Sequence, residues 1–241
     1  MGRYLILGAS GGIGEATARR LAKAGHDLVL AGRDQAGLAA LADEIGGATG
    51  IADVLSADLG GQLAEMAGSR LDGLLYAVGT ITLKPFERLK DDDFLSDFKI
   101  NALGAAKAVQ ALLPALKAAD GGASVVMFST VAVDQGFAAH ASIAMAKGAV
   151  VGLVRSLAAE YAPSIRVNAI APSLTQTPLG QKVAGNERMA EAVAKLHPIP
   201  RLGEADDMAA MAELLLTGGT WITGQVIAID GGRSTLRVAR N

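Results

Sequence analysis

Short, uniformly apolar segments alternate with amphipathic stretches along the whole chain, and this alternation limits the folds open to it. The apolar segments are expected to be strands and occupy residues 4–7, 27–31, 50–54, 73–78, 124–128, 166–171 and 225–229. Stretches with helical periodicity lie at 13–24, 35–45, 62–69, 91–116, 142–161, 187–196 and 204–216. Strands without a polar face are typical of parallel sheets covered by helices on both sides. The pattern predicts an α/β fold with a doubly wound parallel sheet, a Rossmann fold, in a single domain over residues 1–241.

The composition narrows the classes of function. The sequence is 51% hydrophobic and carries a formal net charge of −2, so it can bury a large core and has no electrostatic footprint for nucleic acid. It has no cysteine, which excludes disulfides and thiolate chemistry and is compatible with a reducing cytosol. The run of four apolar residues before the glycine-rich loop at residue 8 is expected to be too short for a signal peptide or a membrane span. We expect a cytoplasmic protein with a small-molecule substrate, without a metal site and without a nucleic acid or membrane partner.

The segment GASGGIG follows the first predicted strand and opens the first predicted helix. Gly8 permits a tight turn, Gly12 lets the backbone approach a pyrophosphate, and Gly14 allows close packing of the helix. Glycine patterns alone are weak, but the strand before and the helix after favour dinucleotide binding. The predicted contacts in this loop are Gly8, Ser10, Gly12, Ile13 and Gly14.

The end of the second predicted strand bears on the choice between NAD and NADP. Proteins that bind NAD usually place a carboxylate there to hold the ribose hydroxyls, whereas this chain has Gly32 followed by Arg33. An arginine can pair with the 2′-phosphate of NADP and stack on the adenine. NADP is therefore the predicted cofactor, with NAD possible, although Arg33 also suits a solvated surface position. Many NADP enzymes of this kind carry a second basic residue at the position of Gly11.

The chain resembles the short-chain dehydrogenase/reductase family over nearly its whole length. Besides the glycine loop, the matching segments are the Asp53–Val54 pair, KINALG with Asn101, RVNAIAPSLTQTP with Ser173 in place of a glycine, PRLGEADDMA and ITGQVIAIDGG. The resemblance implies hydride transfer with a pyridine nucleotide, with Asn101, Thr130 and Lys147 as catalytic residues. It further implies cofactor contacts from Asp53, Val54, Ala77, Gly79, Lys147, Pro172, Ser173, Thr175 and Thr177.

Three positions depart from the family pattern. The Asn-Asn-Ala-Gly segment after the fourth strand is YAVG here, which keeps Ala77 and Gly79 but loses a side chain that braces the strand. The catalytic serine is Thr130, whose hydroxyl can still donate to a carbonyl oxygen although its χ1 is stiffer. The tyrosine that gives the proton in the family lies four residues before the lysine, where this chain has Ile143. Isoleucine moves no proton, and losing a positioned acid costs about 10²–10⁴ in rate.

His140 is the predicted replacement. Seven residues make nearly two helical turns, so His140, Ile143 and Lys147 would share one face of a helix that includes them all. Ser142 points away and would serve better as the helix N-cap, in which case His140 lies outside the helix. Enoyl-acyl carrier protein reductases, a branch of the family, place their tyrosine seven residues before the lysine, and this chain is similar to that layout with histidine for tyrosine. The alternative for His140 is a surface or loop residue without a role.

The segment 179–199 corresponds to the family's mobile lid over the substrate. Leu179, Val183, Met189 and Val193 would line it, and Phe86 and Phe137 would wall the substrate pocket. His26 and His197 are predicted to be structural. The acidic run at 91–93 is expected to open a helix, because carboxylates favour the positive end of the helix dipole.

Three functions remain open on the sequence. The first is an NADP-dependent oxidoreductase acting on a carbonyl or activated double bond with non-standard acid chemistry. The second is a dinucleotide-binding sensor or silent subunit without turnover, which the missing tyrosine favours. The third, elimination or isomerisation without net redox change, is weaker because the cofactor loop is intact. The resemblance also implies a homodimer or homotetramer, paired through the long helices at 91–116 and 142–161 and through the C-terminal strand.

Overall fold

The computed structural model describes residues 1–238 and contains one large parallel sheet. Its strands run in the order β3-β2-β1-β4-β5-β6-β9, and their bounds are β1 Arg3–Leu7, β2 Asp27–Gly32, β3 Ala48–Ile51, β4 Gly73–Tyr76, β5 Ala123–Phe128, β6 Ile165–Pro172 and β9 Val226–Ile229. A separate parallel pair consists of β7 Thr175–Gln176 and β8 Gly203–Glu204. The predicted doubly wound α/β sheet is confirmed.

Ten α-helices lie in the described part of the chain. Their bounds are α1 Gly12–Lys23, α2 Gln35–Ile45, α3 Leu59–Ala67, α4 Asp91–Phe98, α5 Gly104–Lys117, α6 Ala132–Gln135, α7 Ala141–Tyr161, α8 Pro178–Ala184, α9 Glu187–Ala194 and α10 Ala205–Thr217. Helix α4 begins at the acidic run, with three aspartates in its first turn, as the dipole argument predicted. Helices α6 and α8 are too short to give a clear periodic signal in the sequence.

The uniform apolarity of the strands follows from two cores, one on each face of the sheet. Leu5 and Leu7 of β1 pack into one core with α3, α5 and α7, whereas Tyr4 and Ile6 pack into the other with α1, α2 and α10. Alternate residues of a strand point to opposite faces, so both sets must be apolar. The two cores hold the strand ends, and the loops that follow them, in fixed positions.

Two predicted elements differ from the structure. The third strand is Ala48–Ile51, not 50–54, because this edge strand is largely exposed and lacks the apolar run that marks the inner strands. The single helix predicted at 91–116 is instead α4 and α5 joined by a π-helical segment at Lys99–Leu103. The π segment contains Asn101, and wider turns of this kind often occur at functional sites.

Helix α7 is long and apolar enough to cross a membrane, with a mean hydropathy of 1.4 over its most apolar window. Length and composition are weak evidence for a span, because the central helix of a compact domain has the same properties. Val150, Val154 and Ala158 of α7 belong to the core described above. Packing inside the domain thus accounts for one face of the helix.

Candidate functional site

The loop between β1 and α1 is shaped by two glycines that no other residue could replace. Gly8 has a φ of +96°, in the left-handed region, and its amide donates to the Ala31 carbonyl oxygen at 2.7 Å. A Cβ atom on Gly14 would lie 2.1 Å from the Gly8 carbonyl oxygen, so α1 packs against the turn only because that atom is missing. The loop predicted from the sequence therefore has the conformation that a dinucleotide fold requires.

The first turn of α1 is suited to phosphate groups. Gly11 occupies the N-cap position, and in the described part of the chain no side chain caps the helix there. The amides of the first turn are then available to an anion, which the helix dipole also favours. Gly12 lies against Thr177, since a Cβ on Gly12 would be 2.8 Å from the Thr177 Cγ2 atom. Thr177, one of the predicted cofactor contacts, is thereby placed beside the phosphate loop.

A cleft of about 830 Å³ opens at the carboxyl ends of β1 to β4. This is the switch point of a doubly wound sheet, where ligands of such folds bind. Seven of the predicted cofactor contacts line it, namely Gly8, Ser10, Arg33, Asp53, Val54, Ala77 and Gly79. The volume and the lining fit a dinucleotide.

The β2 end of the cleft is marked by Arg33, which is exposed and projects from the strand end. The neighbouring Asp34 is the N-cap of α2, and its carboxylate accepts a hydrogen bond from the Gly37 amide at 3.1 Å. On the other side Asp53 accepts from the Leu55 amide at 2.9 Å, and Val54 is buried. Two cationic side chains line the cleft among the described residues, Arg33 directly after β2 and Lys182 on α8.

Helix α8 forms one side of the cleft. Leu179, Lys182 and Val183 line the cleft and lie three and four residues apart, so a single face of α8 is turned toward it. Thr177 caps this helix by accepting from the Gly180 amide at 3.0 Å. The predicted lid is therefore only partly borne out: Met189 is 52% exposed and lines no part of the cleft.

Asn101 and Lys147 meet beside Gly79. A Cβ on Gly79 would lie 3.1 Å from the Asn101 Oδ1 atom and 3.7 Å from the Lys147 Nζ atom. The Asn101 side chain is fixed by donating to the Asp97 carbonyl oxygen at 2.8 Å and the Thr80 carbonyl oxygen at 3.2 Å. Lys147 donates to the Phe128 carbonyl oxygen at 2.9 Å. Two of the four predicted catalytic residues thus converge on the cleft.

The bracing side chain that YAVG was expected to lack is supplied by Tyr76. Its buried hydroxyl donates to the Ile100 carbonyl oxygen and so ties β4 to the π-helical segment that carries Asn101. Burial raises the pKa of Tyr76, which keeps the hydroxyl protonated as a donor. The contact spans 24 residues, and a tyrosine at a strand end gives no sequence signal of such a partner.

Lys147 is 8% exposed, and its burial lowers the pKa of its ammonium group from 10.5 to about 8, although the Asp97 carboxylate pulls in the other direction. Asp97 is fully buried and accepts hydrogen bonds from Thr82 and, at 2.6 Å, from the Ser142 hydroxyl. A buried lysine close to its titration point near neutral pH is typical of a functional site.

Thr130 follows β5 at the same edge of the sheet. Its hydroxyl oxygen accepts from the Ala132 amide at 3.3 Å, which leaves its own proton free to donate. The Val131 amide donates to the Pro172 carbonyl oxygen at 3.2 Å, so the chain after β5 is bound to the end of β6. Thr130, Pro172 and Ser173 therefore lie at adjacent strand ends. Thr175 is buried and donates to the Ser173 carbonyl oxygen at 3.0 Å.

The facing argument for His140 does not hold. Helix α7 begins at Ala141 with His140 at the N-cap position, so His140 lies outside the helix that carries Ile143 and Lys147. Ser142 is not the N-cap either, because its hydroxyl is buried and bonded to Asp97. The His140 Nδ1 atom lies 2.7 Å from the Ala138 carbonyl oxygen, and the ring meets Phe137 edge to face at 5.4 Å.

Phe86 and Phe137, the two residues predicted to wall the substrate pocket, differ in their positions. Phe86 is 72% exposed and packs on Phe94, so it does not line the cleft. Phe137 is half-buried, and the Arg233 guanidinium stacks over its ring at 4.6 Å. Arg233 also donates to the Ser173 hydroxyl at 3.2 Å, a contact that no local pattern in the chain predicts.

The two histidines predicted to be structural are held by hydrogen bonds. The His26 Nδ1 atom accepts from the Gly2 amide at 3.1 Å, and its ring packs on Tyr4. His197 is buried, and its Nε2 atom lies 2.9 Å from the Ser173 hydroxyl. His197 is thus connected to the end of β6 through Ser173.

Comparisons with known proteins agree with this geometry. The family described as "Enoyl-(Acyl carrier protein) reductase" matches residues 8–234. The chain is similar to oxidoreductase UcpA of Salmonella typhimurium, with 34% identity covering 96% of this chain and 94% of that protein. It is also similar to D-threitol dehydrogenase of Mycolicibacterium smegmatis, with 34% identity covering 95% and 91%.

Solved structures extend the similarity to the fold. Levodione reductase superposes with a TM-score of 0.89 at 30% identity, covering 98% of both chains. A short-chain type dehydrogenase/reductase from Mycobacterium ulcerans superposes with a TM-score of 0.88 at 27% identity, covering 98% of this chain and 90% of that one. The chain therefore belongs to the short-chain dehydrogenase/reductase family and is an oxidoreductase of that family.

Proposed function

We propose that the protein is an NADP(H)-dependent oxidoreductase that exchanges hydride with a carbonyl, alcohol or activated enoyl substrate. The observation that carries this proposal is the single cleft that runs from Arg33 to Gly79, where Asn101 and Lys147 converge. A bound nicotinamide supplies or accepts the hydride. A sensor without turnover would need no buried lysine and no fixed asparagine at this end of the cleft, so we do not favour it.

The choice of NADP rests on Arg33. Asp34, the carboxylate nearest in sequence, is used to cap α2, so the β2 strand end offers a guanidinium to the ligand. A guanidinium pairs with a phosphate through two parallel hydrogen bonds, which a ribose hydroxyl cannot match.

Replacing Arg33 by alanine should weaken the binding of NADPH by about 10–100-fold and leave that of NADH within about twofold, since a charge-assisted hydrogen bond contributes about 1.5–3 kcal/mol. Titration of the protein fluorescence with each nucleotide gives both dissociation constants. NADH is the internal control for damage to the cleft. Equal losses for the two nucleotides would remove Arg33 from the phosphate site.

The chain's own groups must position the substrate and move the proton. The free proton of Thr130 donates to the substrate oxygen, and the Lys147 ammonium holds the nicotinamide ribose hydroxyls. Ile143 is 2% exposed and contributes only an apolar wall. We propose that the proton comes from His140, with Lys147 as the competing source.

The two candidate proton sources, His140 and Lys147, differ in their hydrogen bonding and burial. Because Nδ1 of His140 is bound to a carbonyl, which only accepts, Nδ1 carries a proton and Nε2 is left to exchange one with the substrate. Lys147 is buried at the Gly79 end of the cleft and has a pKa of about 8, so its ammonium can also give up a proton near neutral pH.

The proposed function is tested by assaying NADPH oxidation with a panel of ketones and enoyl thioesters. We expect turnover with at least one member of the panel and a loss of about tenfold or more in kcat in the variant His140→Ala, at an unchanged dissociation constant for NADPH. An unchanged kcat would remove His140 from the mechanism and leave Lys147 as the remaining candidate. Tight binding of NADPH without turnover across the panel would favour the sensor instead.

We also propose that the protein is a cytoplasmic homodimer or homotetramer. Leu95, Phe98, Leu103 and Met145 are between 38% and 51% exposed on α4, the π segment and α7, and Trp221 is 99% exposed before β9. Exposed apolar groups at these two places support association through the long helices and the C-terminal strand. Light scattering measures the mass in solution.

A further inference from the structure

Arg233 lies where three loops meet at the carboxyl edge of the sheet. It follows β9, stacks on Phe137 from the loop after β5, and donates to Ser173 after β6. Its carbonyl oxygen accepts from the Gln135 side chain at 2.9 Å, which fixes the backbone. Ligands of doubly wound sheets bind at this edge, so the guanidinium is at the substrate side of the site and not in the core.

No carboxylate lies within ion-pair distance of the Arg233 guanidinium in the part of the chain that the structure describes, although the charge of Asp230 partly offsets the lowering of its pKa from farther away. Arg233 makes no ion pair there, and its neighbour Asp230 is occupied with the amides of Gly232 and Ser234 at 2.9 and 2.7 Å. The side chain is half-buried, and this burial lowers its pKa. Partial removal of a cation from water without a paired anion is unfavourable unless a ligand supplies the anion.

Most of the hydrogen-bonding capacity of the guanidinium is also unused. Of its five N–H donors, one contacts the Ser173 hydroxyl in the described residues. The direction of the Ser173 hydroxyl follows from the tautomer of His197. The His197 Nδ1 atom lies 2.9 Å from the Val193 carbonyl oxygen, so Nδ1 is assigned the ring proton. The unprotonated Nε2 atom then accepts the Ser173 proton, which turns an oxygen lone pair toward Arg233. Ser173 thereby positions the guanidinium.

A second unsatisfied group lies on the same amide that binds the Arg233 backbone. The Gln135 Oε1 atom is buried and has no donor among residues 1–238. A buried acceptor without a donor costs about 1–3 kcal/mol. A ligand that offers a hydroxyl or amide proton beside its anionic group would satisfy both Gln135 and Arg233.

We propose that Arg233 binds an anionic group of the substrate, a carboxylate or a phosphate, through the free edge of its guanidinium. This inference rests on the proposed function and names its substrate class: an oxo or hydroxy compound with an anionic group on the side away from the reacting carbon. A planar guanidinium suits both anions, because it offers two parallel donors to the two oxygens of either.

The proposal is tested by equilibrium binding to the protein saturated with NADP⁺, which cannot reduce a ketone. The probes are 2-, 3- and 4-oxo acids of matched length, their methyl esters, and the corresponding oxo phosphonates. In isothermal titration, the acid that binds most tightly should bind at least about tenfold more tightly than its own neutral methyl ester. A preference for phosphonates over carboxylates, or the reverse, identifies the anion.

Variants assign the preference to the residue. Arg233→Gln should abolish the difference between acid and ester, and Arg233→Lys should keep part of it because the charge remains without the two parallel donors. Arg237→Gln, an exposed arginine in the same segment, is the matched control and should leave the difference unchanged. An unchanged dissociation constant for NADP⁺ and an unchanged melting temperature show that the Arg233 variants are folded.

Two results would overturn the proposal. No anion in the panel binds more tightly than its ester, or Arg233→Gln keeps the full difference. Neither result depends on turnover, so failure here is separable from failure of the proposed function, which would show as loss of NADP(H) binding or as absence of NADPH oxidation.

Discussion

Replacing Ile143 by tyrosine should raise the rate of carbonyl reduction by about 10²–10⁴-fold, the contribution of a positioned general acid. Ile143 lies four residues before Lys147 on one face of α7, and it is buried on the site side of that helix. A hydroxyl placed there would have the Lys147 ammonium beside it and the free proton of Thr130 opposite. The variant would therefore combine an existing cofactor cleft with the missing acid.

The matched control is Ile143→Phe, which adds the same ring without the hydroxyl. Both variants place a larger side chain in a packed region, and we expect each to lose about 1–3 kcal/mol of stability. Steady-state kcat/KM, the NADPH dissociation constant and the melting temperature are measured for both. Equal rates in the two variants would show that a hydroxyl at position 143 does not reach the substrate.

The same variant separates the two proton sources. If His140 gives the proton, then Ile143→Tyr should restore the kcat that is lost in His140→Ala. If Lys147 gives it, His140→Ala is active from the start and there is nothing to restore. Comparing kcat of His140→Ala with kcat of the double variant His140→Ala, Ile143→Tyr therefore distinguishes the two cases.

The fold and the nucleotide end of the cleft could be predicted because their signals are local. Gly8 is required by a tight turn, and Gly14 by the close packing of α1 against that turn, only six residues away. The inner strands are apolar because helices cover both faces of the sheet. The third strand was placed too late because its exposed residues carry no apolar run. Local patterns fail where an element is defined by its neighbours alone.

The substrate end could not be predicted because its contacts join distant parts of the chain. Arg233 meets Ser173 across 60 residues and Gln135 across 98, and no spacing in the sequence encodes either pairing. The His140 prediction failed in its geometry for a related reason. The helix predicted at 142–161 begins at Ala141 with His140 as its N-cap, so His140 lies outside the helix that carries Ile143 and Lys147.

Replacing Lys147 by methionine should abolish turnover and at the same time stabilise the protein. A fall of the pKa from 10.5 to about 8 corresponds to about 3 kcal/mol spent on holding the ammonium in a buried site at neutral pH. Methionine removes that cost and also removes the hydrogen bond to the Phe128 carbonyl oxygen, a loss of about 1 kcal/mol. The variant should therefore be more stable by about 2 kcal/mol at pH 7, and about 4–8 °C higher in melting temperature.

The sign of this difference should reverse with pH. Below pH 8 the lysine is charged in both states and the cost is constant; between about pH 8 and 10.5 the unfolded chain binds the extra proton, so the native protein gains stability as pH rises. By about pH 10.5 the variant should be the less stable by about 1 kcal/mol, because only the lost hydrogen bond remains. Denaturant unfolding between about pH 7 and 10.5 measures the difference, with exposed Lys107→Met as the control that should show no such trend. A stability difference that does not change with pH would mean that the Lys147 ammonium is solvated in the native protein. Burial would then not lower the pKa of Lys147.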